Sequence, residues 1–276
     1  METVPTLVLL HGGPGFDHSA FKPYFSGLTD ALQVVYYDHR SMGRSDDGTP
    51  SSWTLSRWAD DLDELIERLG IVRPILLGQS FGGYVALQYA ITRSHRLSGL
   101  ILSSTGARHV GGDCLVEFER LGGSEARQIA SEFFSDPTIE RFAEYRRVCF
   151  PLYNTTVQDP AIAARQVVKP EVLVHFWRGE HRMFDFRHEL GGIDCPTLVI
   201  GGEDDPITPA VRSRELAENL NPDLVDLQIV PGAGHGVYRD DPQRYGDLAR
   251  EFISSVAEAS ARSDPAAPAA ASGIAR

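Results

Sequence analysis

The chain is poor in cysteine. Its 276 residues hold three, Cys114, Cys149 and Cys195, at no spacing that suits a metal site. An odd, sparse set excludes a disulfide framework, so the three read as small buried side chains in a protein of a reducing compartment, the cytoplasm. Long hydrophobic runs are missing as well. No stretch approaches the ~18 apolar residues of a membrane span. The opening Met1-Glu2-Thr3-Val4-Pro5 shows no basic segment leading into an apolar one, so no signal peptide is expected. Positive charge is in deficit: 26 Lys and Arg stand against 38 Asp and Glu, a net charge of −12. That argues against a nucleic-acid partner, because phosphate binding needs clustered cations. There is no internal repeat. What is present is an ordinary globular balance, 42% hydrophobic and 23% charged, long enough for one large α/β domain or a core domain with an insertion.

Short apolar runs alternate with segments of helical spacing. Strands are expected at Thr6–Leu10, Gln33–Tyr37, Pro74–Leu77, Leu97–Ser103, Pro196–Ile200 and Leu224–Val230. Helices are expected over Asp17–Leu32, Thr54–Leu69, Tyr84–Ala90, Ala210–Leu220 and Pro242–Ala257. Strands that are apolar almost throughout and alternate with helices imply a parallel sheet covered on both faces. Residues 106–191 break the rhythm. They contain helix-like pieces without strand alternation and many aromatics, among them Phe118, Phe133, Phe134, Phe142, Tyr145, Phe150, Tyr153, Phe176, Trp177, Phe184 and Phe186. We read this stretch as a helical cap inserted into a core formed by residues 1–105 and 192–259. Most of its aromatics would pack the cap and a minority would line a pocket beneath it. Residues 260–276, rich in Ala, Pro and Ser, are expected to form a disordered tail.

The loops that follow the strands carry the unusual residues. Gly78-Gln79-Ser80-Phe81-Gly82-Gly83 joins a buried strand to a helix with a serine at the turn, the G-x-S-x-G elbow. His11-Gly12-Gly13-Pro14-Gly15 follows the first strand, Asp38 to Ser45 the second, Glu203-Asp204-Asp205 the fifth and Gly234-His235 the sixth. In parallel sheets ligands sit beyond the carboxyl ends of the strands, and all of these loops fall at that edge. A serine hydroxyl needs a base and a group that orients the base. Ser80, Asp205 and His235 supply these in the order serine, acid, histidine. Asp205 is preferred over its neighbours Glu203 and Asp204 because it lies three positions after Gly202. Histidine in general titrates near ~6.5 and can take and return a proton. A tetrahedral oxyanion needs two donors, for which the backbone N–H groups of Phe81 and Gly13 are the candidates. His11, Asp38, Arg40 and Ser45 read as residues that brace their loops.

Together these motifs resemble the α/β-hydrolase family and, within it, the proline iminopeptidase branch. The similarity rests on His11-Gly12-Gly13-Pro14-Gly15, Asp38-x-Arg40-x-x-Gly43-x-Ser45, Gly78 to Gly83, Gly202-x-x-Asp205 and Gly234-His235, and spans nearly the whole core. It implies catalytic Ser80, Asp205 and His235, an oxyanion hole from Gly13 and Phe81, a helical cap, a cis peptide before Pro14 and no cofactor or metal. Relatives begin with an additional β-hairpin, so this chain is expected to lack the family's first two strands and to hold about six. Ser41 stands where a glycine is common. Some relatives have a carboxylate where Pro206 follows Asp205.

The resemblance implies a serine hydrolase acting through an acyl-enzyme, with release of an N-terminal residue from a small peptide as its leading activity. Cap carboxylates Glu171 and Glu180 would then meet the substrate ammonium, with Phe176 and Trp177 beside them. The alternatives are an esterase, a lactonase or a carbon–carbon bond hydrolase on a small apolar substrate, and a ligand receptor on the same fold. The expected partner is a small molecule or short peptide.

Overall fold

The computed structural model describes residues 4–30, 32–109 and 111–263, with side chains to residue 259. Six strands form one sheet in the order β2-β1-β3-β4-β5-β6, every neighbouring pair parallel. They are β1 (Thr6–Leu10), β2 (Gln33–Tyr36), β3 (Ile75–Gln79), β4 (Gly99–Ser103), β5 (Thr197–Gly202) and β6 (Val225–Val230). The four central strands are almost wholly buried because successive side chains enter opposite layers. Val8 and Leu10, Leu76, Leu100 and Leu102, and Val199 enter one hydrophobic cluster. Leu7 and Leu9, Ile75 and Leu77, Ile101, and Leu198 and Ile200 enter the other.

The first layer contains α1 (Leu55–Arg68) and α2 (Phe81–Arg93). Thr54 begins α1 by accepting the Arg57 N–H at 3.2 Å, and Leu55, Trp58, Leu62 and Ile66 form its buried stripe. Between β4 and β5 the described residues form four more helices, α3 (Gly112–Ser135), α4 (Ile139–Val148), α5 (Pro160–Arg165) and α6 (Pro170–Arg178), of which α3, α4 and α6 send buried side chains into the first cluster. α3 joins the two helical pieces expected at Leu115–Leu121 and Ser124–Phe134, which meet in a kink at Gly123, where φ 72° and ψ −169° are not helical. Among the described residues the only extended pairing in this insertion is an isolated antiparallel bridge between Arg108 and Asp185. The chain then adds α7 (Ala210–Asn219), α8 (Val237–Asp240) and α9 (Pro242–Ser263). Tyr245, Leu248, Ala249, Ile253 and Val256 of α9 close the second layer.

Two expectations are corrected. Where one α-helix is expected over residues 17–32, the described residues hold two short 3-10 helices, His18–Phe21 and Tyr24–Leu28. Pro23 separates them, since a proline has no N–H to continue the ladder. Of the tail expected from residue 260, residues 260–263 belong to α9; residues 264–276 lie outside the described residues. The peptide before Pro14 is cis, and the three cysteines are buried and free. No helix among the described residues is long and apolar enough to cross a membrane.

Candidate active site

Ser80 sits between β3 and α2 with φ 54° and ψ −120°, a left-handed conformation that costs a non-glycine residue about 1–3 kcal/mol. The surroundings hold it there. Its N–H donates to the Ser103 carbonyl at 2.9 Å, and its own carbonyl accepts the Thr105 hydroxyl at 2.8 Å. The glycines after it answer to close packing: a Cβ on Gly82 would run into the Leu10 carbonyl on the neighbouring strand. Strand, turn and helix can approach this closely only with glycine at that position.

Asp205, fully buried after β5, is held by its own turn. Oδ1 accepts the N–H groups of Ile207 and Thr208, both at 2.9 Å. Oδ2 accepts the Thr208 hydroxyl at 2.6 Å and faces His235 Nδ1 at 2.9 Å. A ring nitrogen facing a carboxylate carries the hydrogen, which leaves Nε2 of His235 as the basic nitrogen. The neighbouring acids are occupied elsewhere. Asp204 pairs with Arg120 at 2.8 Å, and Glu203 accepts the Gly232 N–H at 3.3 Å.

The His235 loop is fixed from the β4–β5 insertion. The His235 N–H donates to the Tyr153 carbonyl at 2.6 Å, and the Tyr153 ring stands edge-on to the imidazole at 5.2 Å. Asp240 clasps both partners. It accepts the Gly234 N–H at 2.8 Å, the Thr155 and Thr156 N–H groups, each at 3.0 Å, the Asn154 amide at 3.1 Å and the Thr156 hydroxyl at 2.5 Å. Burial disfavours its charge, yet these donors hold the Asp240 carboxyl below the usual carboxylate range.

The loop after β1 is braced as expected. His11 Nε2 accepts the His39 N–H at 3.1 Å, and Nδ1 meets the Gly12 carbonyl at 2.8 Å. A backbone N–H only donates and a carbonyl only accepts, so His11 is the neutral Nδ1–H tautomer. Burial lowers its pKa and pushes that of His39 well below the ordinary value. Asp38 accepts the His18 N–H at 2.9 Å and the Arg44 N–H at 2.9 Å, Arg40 forms a fork with Asp61, and Ser45 donates to the Asp38 carbonyl at 2.6 Å. Ser41, which replaces a common glycine, has φ 61°, and its hydroxyl accepts from the Gly48 N–H and the Trp53 indole.

A cavity of about 610 Å³ lies between these loops and the insertion. The core contributes His11, Gly12, Gly13, Gln79 and His235; the insertion contributes a wall of Phe133, Phe142, Tyr145, Phe150, Tyr153 and Trp177. Ser80 adjoins it through Gly12, since a Cβ on that glycine would come within 3.2 Å of the serine Cβ. Gly13 lines it with φ +136°.

Three candidates fall elsewhere. Glu171 is exposed in the first turn of α6 and does not line the cavity. Glu180 is half-buried and its Oε2 accepts the Leu55 N–H at 2.7 Å. It thus satisfies an orphan donor at the start of α1, and burial raises its carboxyl pKa. Phe176 is core, packed against Trp58 and Phe81 at 5.9 and 5.2 Å. Trp177 does line the cavity. Sequence reasoning missed Asn154, Thr208, Asp240 and two cavity arginines, Arg146 and Arg239, and the bond from the His235 N–H to the Tyr153 carbonyl. Only Thr208 had a local signal, a hydroxyl three residues after an aspartate.

Comparison with known proteins defines the class. The alpha/beta hydrolase fold family model matches residues 5–242, and the chain belongs to that family. It is 28% identical over 249 residues to proline iminopeptidase PfmaB of Pestalotiopsis fici, covering 86% of this chain and 87% of that one. It is 28% identical over 256 residues to the putative carbamate hydrolase RutD of Rhizobium rhizogenes, covering 91% and 94%. Among solved structures, a thermophilic esterase from Thermogutta terrifontis is similar, with a TM-score of 0.68, 28% identity and coverage of 92% and 91%.

Proposed function

We propose that the protein is a serine hydrolase that turns over a small ester or lactone through an acyl-enzyme, with Ser80 as nucleophile, His235 as base and Asp205 as the group that orients the base. The observation that carries the mechanism is the 2.9 Å contact between His235 Nδ1 and a fully buried Asp205. It leaves Nε2 basic at the cavity whose wall adjoins the strained Ser80 turn. In this reading Ser80 Oγ bonds to the substrate carbonyl carbon as its proton passes to His235 Nε2. The N–H groups of Gly13 and Phe81 receive the oxyanion. The C–O bond to the leaving group then breaks, and His235 protonates that group. Water, deprotonated by His235, next attacks the acyl-enzyme and Ser80 is regenerated. The β4–β5 insertion acts as the cap that shields these steps.

The preference for an ester over a peptide with a free N-terminus rests on charge. Of the residues lining the cavity only Asp17 is acidic, and it is spoken for. It accepts the Ser19 N–H and hydroxyl, the Val167 N–H and Arg44 Nη1. An ammonium would find no unengaged carboxylate among the lining residues. The similarity to proline iminopeptidases favours the peptidase as the second reading.

One panel separates them: 4-nitrophenyl butyrate, a γ-lactone and proline 4-nitroanilide, each with wild type and Ser80→Ala. Turnover of the ester or lactone, lost by at least about 10⁴-fold in Ser80→Ala, and labelling of Ser80 by a fluorophosphonate are expected. Turnover of the anilide alone would establish the peptidase. Activity retained in Ser80→Ala would sink the mechanism, and binding without turnover or labelling would favour a receptor.

A further inference from the structure

We infer that the hydrolase proposed above takes a substrate bearing a carboxylate, and that Arg146 is the residue that selects it. The inference rests on that hydrolase reading and adds a specificity to it.

The observation is a contrast of charge. The chain carries a net charge of −12, yet the ionisable lining of its large cavity is cationic. Two arginines, Arg146 and Arg239, line it against the single acid Asp17, whose charge is already met by Arg44 at 2.7 Å. The two arginines differ in commitment. Arg239 is tied to the insertion, with Nε on the Thr156 hydroxyl at 3.2 Å and Nη2 on the Thr156 carbonyl. Arg146, exposed in the last turn of α4, has no hydrogen bond or ion pair among the described residues. Its neighbour Arg147 is paired with Glu144 at 2.5 Å. A guanidinium presents a fork of donors that fits a carboxylate, and this one is left unpaired at a cavity whose lining includes Phe133, Phe142, Tyr145, Phe150, Tyr153 and Trp177 together with uncharged polar side chains such as Asn154 and Gln158. Such a site suits an acyl or leaving group with an apolar body and an anionic end. It is poorly suited to an ammonium. Arg146 also lies where a cation favours the C-terminal end of a helix, so the test must separate that structural role from substrate selection.

The experiment compares mono-4-nitrophenyl glutarate with 4-nitrophenyl butyrate on wild type, Arg146→Gln and Arg146→Lys. The readout is the ratio of the KM for the anionic ester to that for the neutral one. Arg146→Gln should raise the ratio about tenfold and Arg146→Lys by less. The wild-type preference should weaken as salt is raised. A ratio that moves less than twofold, whatever happens to Tm, overturns the proposal and leaves Arg146 a structural residue. A second arm does not need turnover: calorimetric binding of 4-phenylbutanoate to full-length Ser80→Ala, with and without Arg146→Gln. Binding lost with Arg146 supports the anion site even if neither ester is hydrolysed, an outcome that would sink only the hydrolase reading. Binding that ignores Arg146, or no binding, overturns the anion site.

Discussion

The two walls of the cavity are held by different forces. On the sheet side, polar groups are pinned by directional bonds. Asp205 accepts three hydrogen bonds from its own turn besides facing His235, and His11 has both ring nitrogens engaged. On the insertion side the framework is rings against rings. Phe134 stacks on Trp177 at 5.0 Å, Trp177 on His181 at 4.0 Å and Phe133 on Tyr145 at 4.8 Å. Hydrogen bonds fix direction, which a proton transfer needs. Ring packing fixes volume and tolerates substitution of similar size. The wall that would do chemistry is thus the stiff one, and the wall that would choose the substrate is the one that can change.

This contrast can be broken at several points. The largest effect is expected on the stiff side. Asp205→Asn should keep the fold while kcat drops on the order of 10⁴-fold, because the amide can hold the imidazole in the wrong tautomer. Steady-state kinetics beside circular dichroism would check it, and a loss under tenfold would remove Asp205 from the mechanism. Asp240→Ala attacks the join between the walls. It leaves the Gly234, Thr155 and Thr156 donors unmatched, and kcat should fall by roughly 10- to 100-fold, more than KM rises, as expected for a residue that positions another. A change confined to Tm would assign Asp240 to stability alone. On the adaptable side, Phe150→Leu keeps an apolar wall of similar size. KM should shift only a few-fold, in opposite senses for short and long acyl chains, at a stability cost under about 1.5 kcal/mol.

The last effect is on stability and depends on pH. His181 is buried, its Nε2 has no hydrogen-bond partner among the described residues, and burial lowers its pKa from 6.5 to about 3. Below 6.5 the unfolded chain therefore binds a proton that the folded chain refuses. The stability that depends on neutral His181 is complete above pH 6.5 and is lost as pH falls toward 3. His181→Phe should remove about 2 kcal/mol of the difference in unfolding free energy between pH 7 and pH 5. Urea titrations at the two pH values would show it, and an unchanged difference would discount His181.

The sheet and its loops were legible because their signals are local. Short, largely apolar runs, with a serine after the third, an acid after the fifth and a histidine after the sixth, need no knowledge of distant partners. The insertion was harder, since an aromatic that packs and one that lines a cavity look alike in sequence: Phe176 is core and Trp177, one residue on, is wall. Glu180 was misassigned because its partner, the Leu55 N–H, lies 125 residues away. Asp240 escaped notice for the same reason, with Thr155 at a separation of 85. The helix expected over residues 17–32 failed locally, at Pro23, where apolar spacing outweighed a residue that stops helices.

The bond from the His235 N–H to the Tyr153 carbonyl also bears on inheritance. A chimera made by cutting near residues 106 and 191, to import another protein's substrate preference, would replace the backbone acceptor on which the histidine's own loop rests. The insertion and the histidine loop are thus structurally coupled, and grafts should retain Tyr153 to Thr156 with Asp240. Drift in substrate range would proceed more easily through side chains such as Phe150 than through wholesale exchange.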